Sequence, residues 1–323
     1  MAKFRVVITE CDFEMPPVIE AAELAPVGAE VIVEQCKSED ELIAACANAD
    51  ALLFQYAPLT ARVLDSLERC KVIVRYGTGM DTIDIPAAVE RGIICCNVTG
   101  FYIGEVADHT MALLLVGNRA IVKLNDSVRR GEWDAVGVSG STQRNDGLTL
   151  GFIGLGAIAT AVAARARPFG LNLIAYSPRA PESAFAAAGI TRVGLDDLLE
   201  QSDYVSVHTP LRAATRHLIG ARELALMKPT AYLINTARGG LIDSDALCAA
   251  LESGDIAGAA LDVFDPEPMP ADSPLRQAPN LIVTPHSGFY SQTSIEALRR
   301  ETAAEAARVL NGGEPTSQVT VQI

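Results

Sequence analysis

The stretch LTLGFIGLGAIA, residues 148–159, decides the fold of this chain. It reads as a short apolar strand, a Gly-x-Gly-x-x-Ala turn and the start of an Ala-rich helix. Gly154 permits the tight turn, Gly156 lets the backbone approach a pyrophosphate, and Ala159 is small enough for the helix to pack on the strand. The N–H groups of the first helical turn then face the phosphates. The stretch therefore predicts a dinucleotide-binding turn, and it begins near the middle of the chain.

Length and composition are those of a two-domain globular protein. The chain has 323 residues, of which 49% are hydrophobic and 20% charged, and its formal net charge is −14. Because the sequence shows no basic stripe, it argues against binding to nucleic acid or to an anionic membrane. The seven cysteines are scattered without a C-x-x-C pair, which favours reduced thiols. With no signal peptide or membrane-spanning run in the sequence, we expect a cytoplasmic protein. We also expect the protein to hold no metal.

Two series of alternating strand and helix signals organise the chain, which is typical of parallel sheets with helices on both faces. The expected strands are Phe4–Thr9, Glu30–Gln35, Ala51–Gln55, Val72–Tyr76 and Ile93–Val98 in the first series, and Leu148–Ile153, Asn172–Tyr176, Tyr204–His208, Ala231–Asn235, Ala257–Asp262 and Leu281–Thr284 in the second. The expected connecting helices are Glu39–Ala47, Thr60–Arg69, Ala157–Arg167, Glu182–Ala188, Leu195–Gln201, Ala221–Met227 and Asp243–Ser253.

Three further segments lie outside this alternation. A long helix is expected over Gly104–Arg130, and a polar surface loop over Trp133–Asp146. The last helix, Ser291–Asn311, has no strand of its own to follow, so it can return to pack on the first domain. The first domain would then be discontinuous, and the chain would cross twice from one domain to the other.

Three strand ends carry side chains suited to proton transfer on an anionic substrate. Arg238, Glu267 and His286 each follow a predicted strand, and ligands of open α/β sheets bind outside the carboxyl ends of the strands. A guanidinium can hold a carboxylate through two parallel hydrogen bonds, and a carboxylate beside an imidazole favours the proton-donating imidazolium. A Pro-rich acidic loop and a lone His at a strand end are each more often structural, whereas an Arg flanked by Thr and two glycines is less likely to make only a structural ion pair. The three together suit the reduction of a 2-oxo acid beside a nicotinamide.

Seven blocks of sequence stand in a fixed order: Arg75–Asp81, Glu105–Thr110, the Gly154 turn, His208–Leu211, Asn235–Gly240, Asp262–Pro268 and Thr284–Ser287. In these blocks the chain resembles the D-isomer-specific 2-hydroxyacid dehydrogenase family. The piece His286–Ser291 is similar to that of its phosphoglycerate-dehydrogenase-like and C-terminal-binding-protein-like members. The resemblance implies two doubly wound parallel-sheet α/β domains. A Rossmann cofactor domain, 101–290, is inserted into a flavodoxin-like substrate domain made of 1–100 and 291–323. It also implies a homodimer formed through the cofactor domain.

The resemblance implies roles for individual residues. Arg238 anchors the substrate carboxylate, His286 is the general acid in reduction and the general base in oxidation, and Glu267 orients His286. Asp262 faces the nicotinamide carboxamide. The implied cofactor-binding residues are Gly154, Gly156, Ala157, Ile158, Ser177, Arg179, His208, Thr209, Pro210, Thr236, Ala237, Arg238, Asp262 and His286. The implied substrate-binding residues are Tyr76, Gly77, Thr78, Gly79, Arg238, His286 and Phe289, the last of which either walls the pocket or is a core aromatic at a helix start.

The chain departs from the family pattern at two places. An acidic residue is expected about 20 positions after the Gly turn, where it would bond the ribose and repel a 2′-phosphate, but Ser177 stands there, followed by Arg179. We therefore expect NADP, or relaxed preference between NADP and NAD; in the alternative, Arg179 points to solvent and NAD binds without the acid. The second departure is the loop 97–105, in which Phe101 and Tyr102 either shape specificity or pack the seam between domains.

The favoured function is an NAD(P)-dependent oxidoreductase that interconverts 2-oxo acids and D-2-hydroxy acids. The alternative is a cofactor-sensing binding protein without significant turnover, and a formate-type or S-adenosylhomocysteine-type enzyme is weaker still. Glyoxylate, hydroxypyruvate, phosphoglycerate and bulkier acids all remain possible substrates. Arg75 is the one obvious basic residue for a substrate phosphate, which mildly disfavours phosphoglycerate.

Overall fold

The computed structural model describes residues 2–12, 16–140 and 142–320, and the chain divides into two compact units. Unit 1 combines residues 1–101 with 290–323, and unit 2 comprises residues 102–289. Both units are built on parallel sheets, so the predicted α/β class is confirmed. Among the described residues, no helix is both long and apolar enough to cross a membrane.

In the described part of unit 1, a five-stranded parallel sheet has the order β2-β1-β3-β4-β5, which is the flavodoxin-like order. Its strands are β1 (Phe4–Ile8), β2 (Ala29–Val33), β3 (Ala51–Phe54), β4 (Val72–Arg75) and β5 (Ile94–Cys96). Its helices are α1 (Val18–Leu24), α2 (Glu39–Cys46), α3 (Ala61–Asp65), α4 (Ile85–Glu90) and a C-terminal helix, Gln292–Leu310. Strand β3 is buried along its whole length, because parallel sheets are covered on both faces.

In the described part of unit 2, a seven-stranded parallel sheet has the order β12-β11-β10-β9-β6-β7-β8. Its strands are β6 (Thr149–Ile153), β7 (Asn172–Tyr176), β8 (Thr191–Arg192), β9 (Tyr204–Val207), β10 (Tyr232–Asn235), β11 (Gly258–Leu261) and β12 (Leu281–Val283). Its helices are α5 (Ile103–Asn118), α6 (Ile121–Arg129), α7 (Ala135–Ser139), α8 (Ala157–Ala166), α9 (Glu182–Ala188), α10 (Leu195–Gln201), α11 (Ala221–Leu226) and α12 (Ser244–Ser253). The strand order reverses between β6 and β9, and ligands of such sheets bind at this switch point.

The single long helix expected over 104–130 is wrong. The chain forms α5 and α6 instead, with Ala120 in the left-handed region at φ 51° between them. Tertiary contacts explain the break. The amide of Asn118 donates to the carbonyl oxygen of Gln143 at 3.0 Å and to Oδ1 of Asn145 at 2.7 Å, which ties the end of α5 to the segment before β6. The surface loop expected over 133–146 is also wrong in part, because α7 forms within it behind an Asp134 cap.

A buried ion pair joins the two ends of the chain in unit 1. Glu20 on α1 is 1% exposed, and Arg299 on the C-terminal helix donates to both of its carboxylate oxygens, at 2.8 and 2.7 Å. The hydroxyl of Tyr76 donates to the same carboxylate at 3.1 Å. The C-terminal helix also packs on β4. The N-terminal and C-terminal segments of unit 1 therefore form one core.

We predict that Arg299→Met strongly destabilises unit 1. The substitution leaves the Glu20 carboxylate buried without its cation, and removing one partner of a buried pair costs about 3–5 kcal/mol. The free energy of unfolding, measured by urea denaturation with far-UV circular dichroism, checks this. Arg300→Met is the matched control, because Arg300 pairs with Glu23 at the surface, where a pair is worth about 0–1 kcal/mol. Equal losses in the two variants would contradict the prediction.

Candidate active site

The Gly turn between β6 and α8 has the geometry of a phosphate site. Gly154 has φ 101°, and a Cβ added to it would lie 2.5 Å from the carbonyl oxygen of His208 at the end of β9. Only glycine fits where these two strands separate. A Cβ added to Gly156 would meet no described atom within 4 Å, so open space lies beside the first residues of α8, Ala157 and Ile158. Space beside a helix N-terminus suits a phosphate group.

Ser177 and Arg179 follow β7 directly, on the strand next to β6. Arg179 is exposed, and neither of the two side chains has a hydrogen bond or an ion pair within the described residues. Their position is the one from which a side chain would meet the ribose of a bound dinucleotide in this fold. The predicted contact of both residues with the cofactor stays a prediction.

The residues expected to line the rest of the cofactor site also lie at carboxyl ends of strands. His208, Thr209 and Pro210 follow β9, and Thr236 and Ala237 follow β10. Burial lowers the pKa of His208 to about 4, so its imidazole is neutral near pH 7, and its Nε2 lies 2.8 Å from the hydroxyl oxygen of Ser206.

Arg238 sits in a turn that the neighbouring loop crowds closely. The side chain of Asn235, buried at the end of β10, accepts the N–H of Ala237 at 3.0 Å and donates to the carbonyl oxygen of Arg238 at 2.9 Å. A Cβ added to Gly239 would lie 2.0 Å from the carbonyl carbon of Phe264. The Arg238 turn therefore fits against the loop after β11 only because residue 239 is glycine.

Glu267 and His286 form an ion pair across two neighbouring loops. Oε2 of Glu267 lies 2.7 Å from Nδ1 of His286, and its Oε1 accepts the N–H of Phe264 at 2.9 Å. Because a carboxylate only accepts, Nδ1 is the donor, and Nε2 is the nitrogen that can exchange a proton with a ligand. Partial burial raises the pKa of Glu267, but the hydrogen bonds from His286 and Phe264 and the charges of His286 and Arg238 outweigh it, so the pKa lies below its ordinary value.

Asp262 at the end of β11 is buried, and both of its carboxylate oxygens accept protein hydrogen bonds. Burial raises its pKa, and hydrogen bonds from His109, Thr284, Ser287 and Gly288 lower it by more. The predicted contact of Asp262 with the nicotinamide carboxamide stays a prediction. Oδ1 already accepts from both Thr284 and Ser287, whereas Oδ2 accepts from Gly288 and has a second lone pair, so Oδ2 keeps some acceptor capacity.

His109 is the residue of this group that the argument from strand ends missed. It lies on α5, and its Nε2 is 3.0 Å from the hydroxyl oxygen of Thr284. The sequence signal that could have found it is a lone imidazole that precedes the apolar run Met111–Gly117.

The expected substrate residues 76–79 belong to unit 1, after β4. Tyr76 is buried and its hydroxyl bonds Glu20, so its ring is part of the core. The backbone of the turn is held by Thr78, whose hydroxyl donates to the carbonyl oxygen of Val98 at 2.8 Å. In unit 2, Phe289 meets His286 edge-on, with ring centroids 6.2 Å apart. The structure thus groups Arg238, Glu267 and His286 in unit 2, and any contact of 76–79 with substrate stays a prediction.

We predict that the Glu267 carboxylate stabilises the fold less as the pH falls. Its pKa is lowered by folding, so its contribution is present above the unfolded value of about 4.3 and is lost as the pH falls through the lower folded pKa. The difference in unfolding free energy between the wild type and Glu267→Gln should therefore be larger at about pH 6 than at about pH 3. Urea denaturation at the two pH values measures it. A difference that does not change with pH would show that the carboxylate gains nothing from folding.

Comparison with known proteins agrees with this geometry. The family model named "D-isomer specific 2-hydroxyacid dehydrogenase, NAD binding domain" matches residues 111–288. The chain is 40% identical to the D-3-phosphoglycerate dehydrogenase of Methanocaldococcus jannaschii over 285 residues, 88% of this chain and 54% of that one, so it spans about half the length of that relative. It is 39% identical to the glyoxylate reductase of Thermofilum pendens over 308 residues, 91% of this chain and 89% of that one.

A solved structure with the same fold contains a cofactor. The acyclic imino acid reductase Bsp5, in complex with NADPH and D-Arg, is 27% identical, with a TM-score of 0.86 over 98% of this chain and 99% of that one. The family match covers more than half of the chain, and the identity to the sequence relatives extends over nearly all of it. As its sequence blocks predicted, the chain belongs to the D-isomer-specific 2-hydroxyacid dehydrogenase family.

Proposed function

We propose that the protein transfers a hydride between a nicotinamide dinucleotide and a 2-oxo acid or the matching D-2-hydroxy acid. The observation that carries this proposal is the ion pair of His286 with Glu267, 2.7 Å long, beside the Arg238 turn at the carboxyl ends of β10–β12. The three side chains come from consecutive strands of a sheet whose switch point carries the Gly154 turn. Membership of the family supports the same reaction class.

The residues of unit 2 fit a dinucleotide. The Gly154 turn excludes a side chain by contact with His208, the space at Gly156 is open, and α8 presents its N-terminus there. When bound, the cofactor supplies or takes the hydride at C2 of the substrate. The protein supplies the group that binds the substrate carboxylate and the group that transfers the proton.

Arg238 and His286 have different roles toward the substrate: Arg238 binds its carboxylate, and His286 transfers the proton. The Arg238 guanidinium binds the substrate carboxylate through paired hydrogen bonds and polarises the adjacent carbonyl. In reduction, Nε2 of His286 gives its proton to the carbonyl oxygen as C2 gains the hydride; in oxidation, the same nitrogen takes the hydroxyl proton. Glu267 holds the imidazole in place through Nδ1.

We infer that the substrate carries no phosphate. The Arg75 guanidinium donates from Nε to the carbonyl oxygen of Gln55 at 2.9 Å and from Nη1 to that of Gly79, so it is engaged in holding the 76–79 turn. The carboxylate of Glu10 accepts the N–H groups of Gln55 and Ala57 at 2.9 and 2.7 Å. The Arg75 guanidinium and these N–H groups are thus bonded within unit 1, beside the Glu10 carboxylate, which disfavours a phosphate at this edge of the sheet.

The alternative of a binding protein without turnover is not favoured. The relatives named above are a dehydrogenase and reductases, and the His286–Glu267 pair is assembled for proton transfer.

We also propose a homodimer formed through unit 2. Helices α6 and α7 and the residues between them leave apolar side chains exposed, namely Ile121, Val128, Trp133 and Val136. Single exposed apolar residues are ordinary, but four within one stretch of sixteen residues (121–136), one of them a Trp that is 91% exposed, support association with a second copy.

We predict that His286→Ala abolishes turnover and leaves cofactor binding intact. General acid catalysis contributes about 10²–10⁴-fold, so kcat should fall by at least that range, and Glu267→Gln should fall by less because it only supports the imidazole. The kcat of each variant is measured by steady-state reduction of glyoxylate, 3-hydroxypyruvate and 3-phosphohydroxypyruvate. Among these substrates, the wild type should have its lowest kcat/KM with the phosphorylated acid. Cofactor affinity is measured separately by calorimetry. Full turnover in His286→Ala would remove the assigned role.

The cofactor preference follows from the residues after β7. We propose NADP, because the exposed Arg179 can meet a 2′-phosphate and Ser177 brings no charge to repel it. The NADPH bound in the Bsp5 structure shows that a protein of this fold can hold that form.

We predict that Ser177→Asp and Arg179→Ala each weaken NADPH binding by about tenfold, since one adds repulsion at the 2′-phosphate and the other removes attraction. NADH binding should change little in Arg179→Ala and should not weaken in Ser177→Asp, where the new carboxylate can bond the ribose hydroxyls. Dissociation constants measured by calorimetry for both cofactors check this. Arg130→Ala is the control, because it removes a surface arginine that pairs with Glu132 just after α6. If the wild type binds NADH tenfold tighter than NADPH, the proposed preference is wrong.

A further inference from the structure

The turn that carries His286 is built around a buried carboxylate. Asp262 is 2% exposed, and three consecutive backbone N–H groups donate hydrogen bonds to its oxygen atoms. Its carbonyl oxygen accepts the N–H of His286 at 2.7 Å, its Oδ1 accepts that of Ser287 at 2.9 Å, and its Oδ2 accepts that of Gly288 at 2.8 Å. The residue that directly follows β11 thus fixes the backbone from which the His286 imidazole projects.

His286 needs such support because its backbone is left-handed, with φ 51°. This region is unfavourable for residues with a Cβ, and such a residue stays there only when its surroundings fix it. A turn released from Asp262 could relax to a more favourable φ, and the imidazole would move with it.

A chain of hydrogen bonds reaches Asp262 from α5. The hydroxyl of Thr284 donates to Oδ1 of Asp262 at 2.5 Å, since a carboxylate only accepts. That hydroxyl has one proton, so the 3.0 Å contact between His109 Nε2 and the Thr284 oxygen is donated by His109. Nε2 of His109 is also only 3.4 Å from Oδ1 of Asp262. The direction of donation is therefore from His109 to Thr284 to Asp262.

Packing supports the same arrangement. A Cβ added to Gly288 would lie 2.9 Å from Oδ2 of Asp262 and 3.3 Å from Cδ2 of His109. The His109 ring therefore lies directly against the turn, which approaches it this closely only because residue 288 is glycine.

We propose that His109 and Thr284 are positioning residues for His286, acting through Asp262; the proposal rests on the proton-transfer role proposed above for His286. Glu267 fixes the imidazole from one side through Nδ1, and the His109–Thr284–Asp262 chain fixes the backbone beneath it. Weakening the chain leaves the substrate anchor, Arg238, in place. It therefore lowers the rate of the chemical step more than it changes binding.

The test compares four variants of the full chain with the wild type in glyoxylate reduction. Thr284→Val removes the hydroxyl at nearly constant volume, and Thr284→Ser restores it. His109→Leu removes the donor, and His217→Asn is the matched control, because His217 lies in unit 2 with a half-exposed side chain and asparagine tolerates its left-handed φ of 52°. Each variant is measured for kcat, KM, cofactor dissociation constant and thermal midpoint.

We expect kcat to fall about tenfold in Thr284→Val and in His109→Leu, as loss of one buried hydrogen bond predicts, with KM and cofactor affinity within about twofold of the wild type. Thr284→Ser should recover most of the rate, and His217→Asn should match the wild type. A lower thermal midpoint with unchanged kcat, or a Thr284→Ser variant as slow as Thr284→Val, overturns the positioning role. Should His109→Leu fail to fold, the Thr284 pair alone decides. If His286→Ala keeps full turnover, both the proposed function and the positioning role are wrong. If His286→Ala is inactive but Thr284→Val has the kcat of the wild type, only the positioning role is wrong.

Discussion

The seven strands of unit 2 run parallel, and this shared direction brings every candidate functional residue of that unit except His109 to one edge of the sheet. Parallel strands all present their carboxyl ends at one edge, and the strand order reverses between β6 and β9 at that edge. The Gly154 turn, Ser177, Arg238, Glu267 and His286 come from different strands, yet each follows a strand end. Residues more than a hundred positions apart in the chain therefore share one edge of one sheet.

At that edge, two glycines allow neighbouring loops to approach each other closely, because each glycine lies directly against main-chain atoms of another segment. Gly154 lies against the end of β9, and Gly239 lies against the backbone of Phe264. In both places a Cβ would collide with main-chain atoms, which cannot rotate away as a side chain can. Close packing of this kind allows Arg238 and the Glu267 loop to sit side by side, and interiors of this density resist added volume.

Two buried carboxylates organise the two units in similar ways. Glu20 in unit 1 receives both donors of the Arg299 guanidinium edge, which joins the first helix to the last. Asp262 in unit 2 receives hydroxyl and N–H donors from the turn that carries His286. A buried charge is tolerated only when its lone pairs are satisfied, so each carboxylate fixes the segments that satisfy it.

Local patterns in the sequence predict the family, the two parallel sheets and the positions of most strands and helices, but not α1, α4 or β8; β7 and helices α9 and α10 run over the predicted residues. These features follow from local patterns: apolar runs, glycine spacing and the alternation of strands with helices. The sequence also nominated Arg238, Glu267 and His286, because strand ends can be read from it. Tertiary contacts, by contrast, determine that α5 ends at Asn118, that α7 forms within the expected loop, and that His109 donates to Thr284. Those outcomes depend on contacts between segments distant in sequence, and no local pattern records which hydrogen-bond partner a side chain will find.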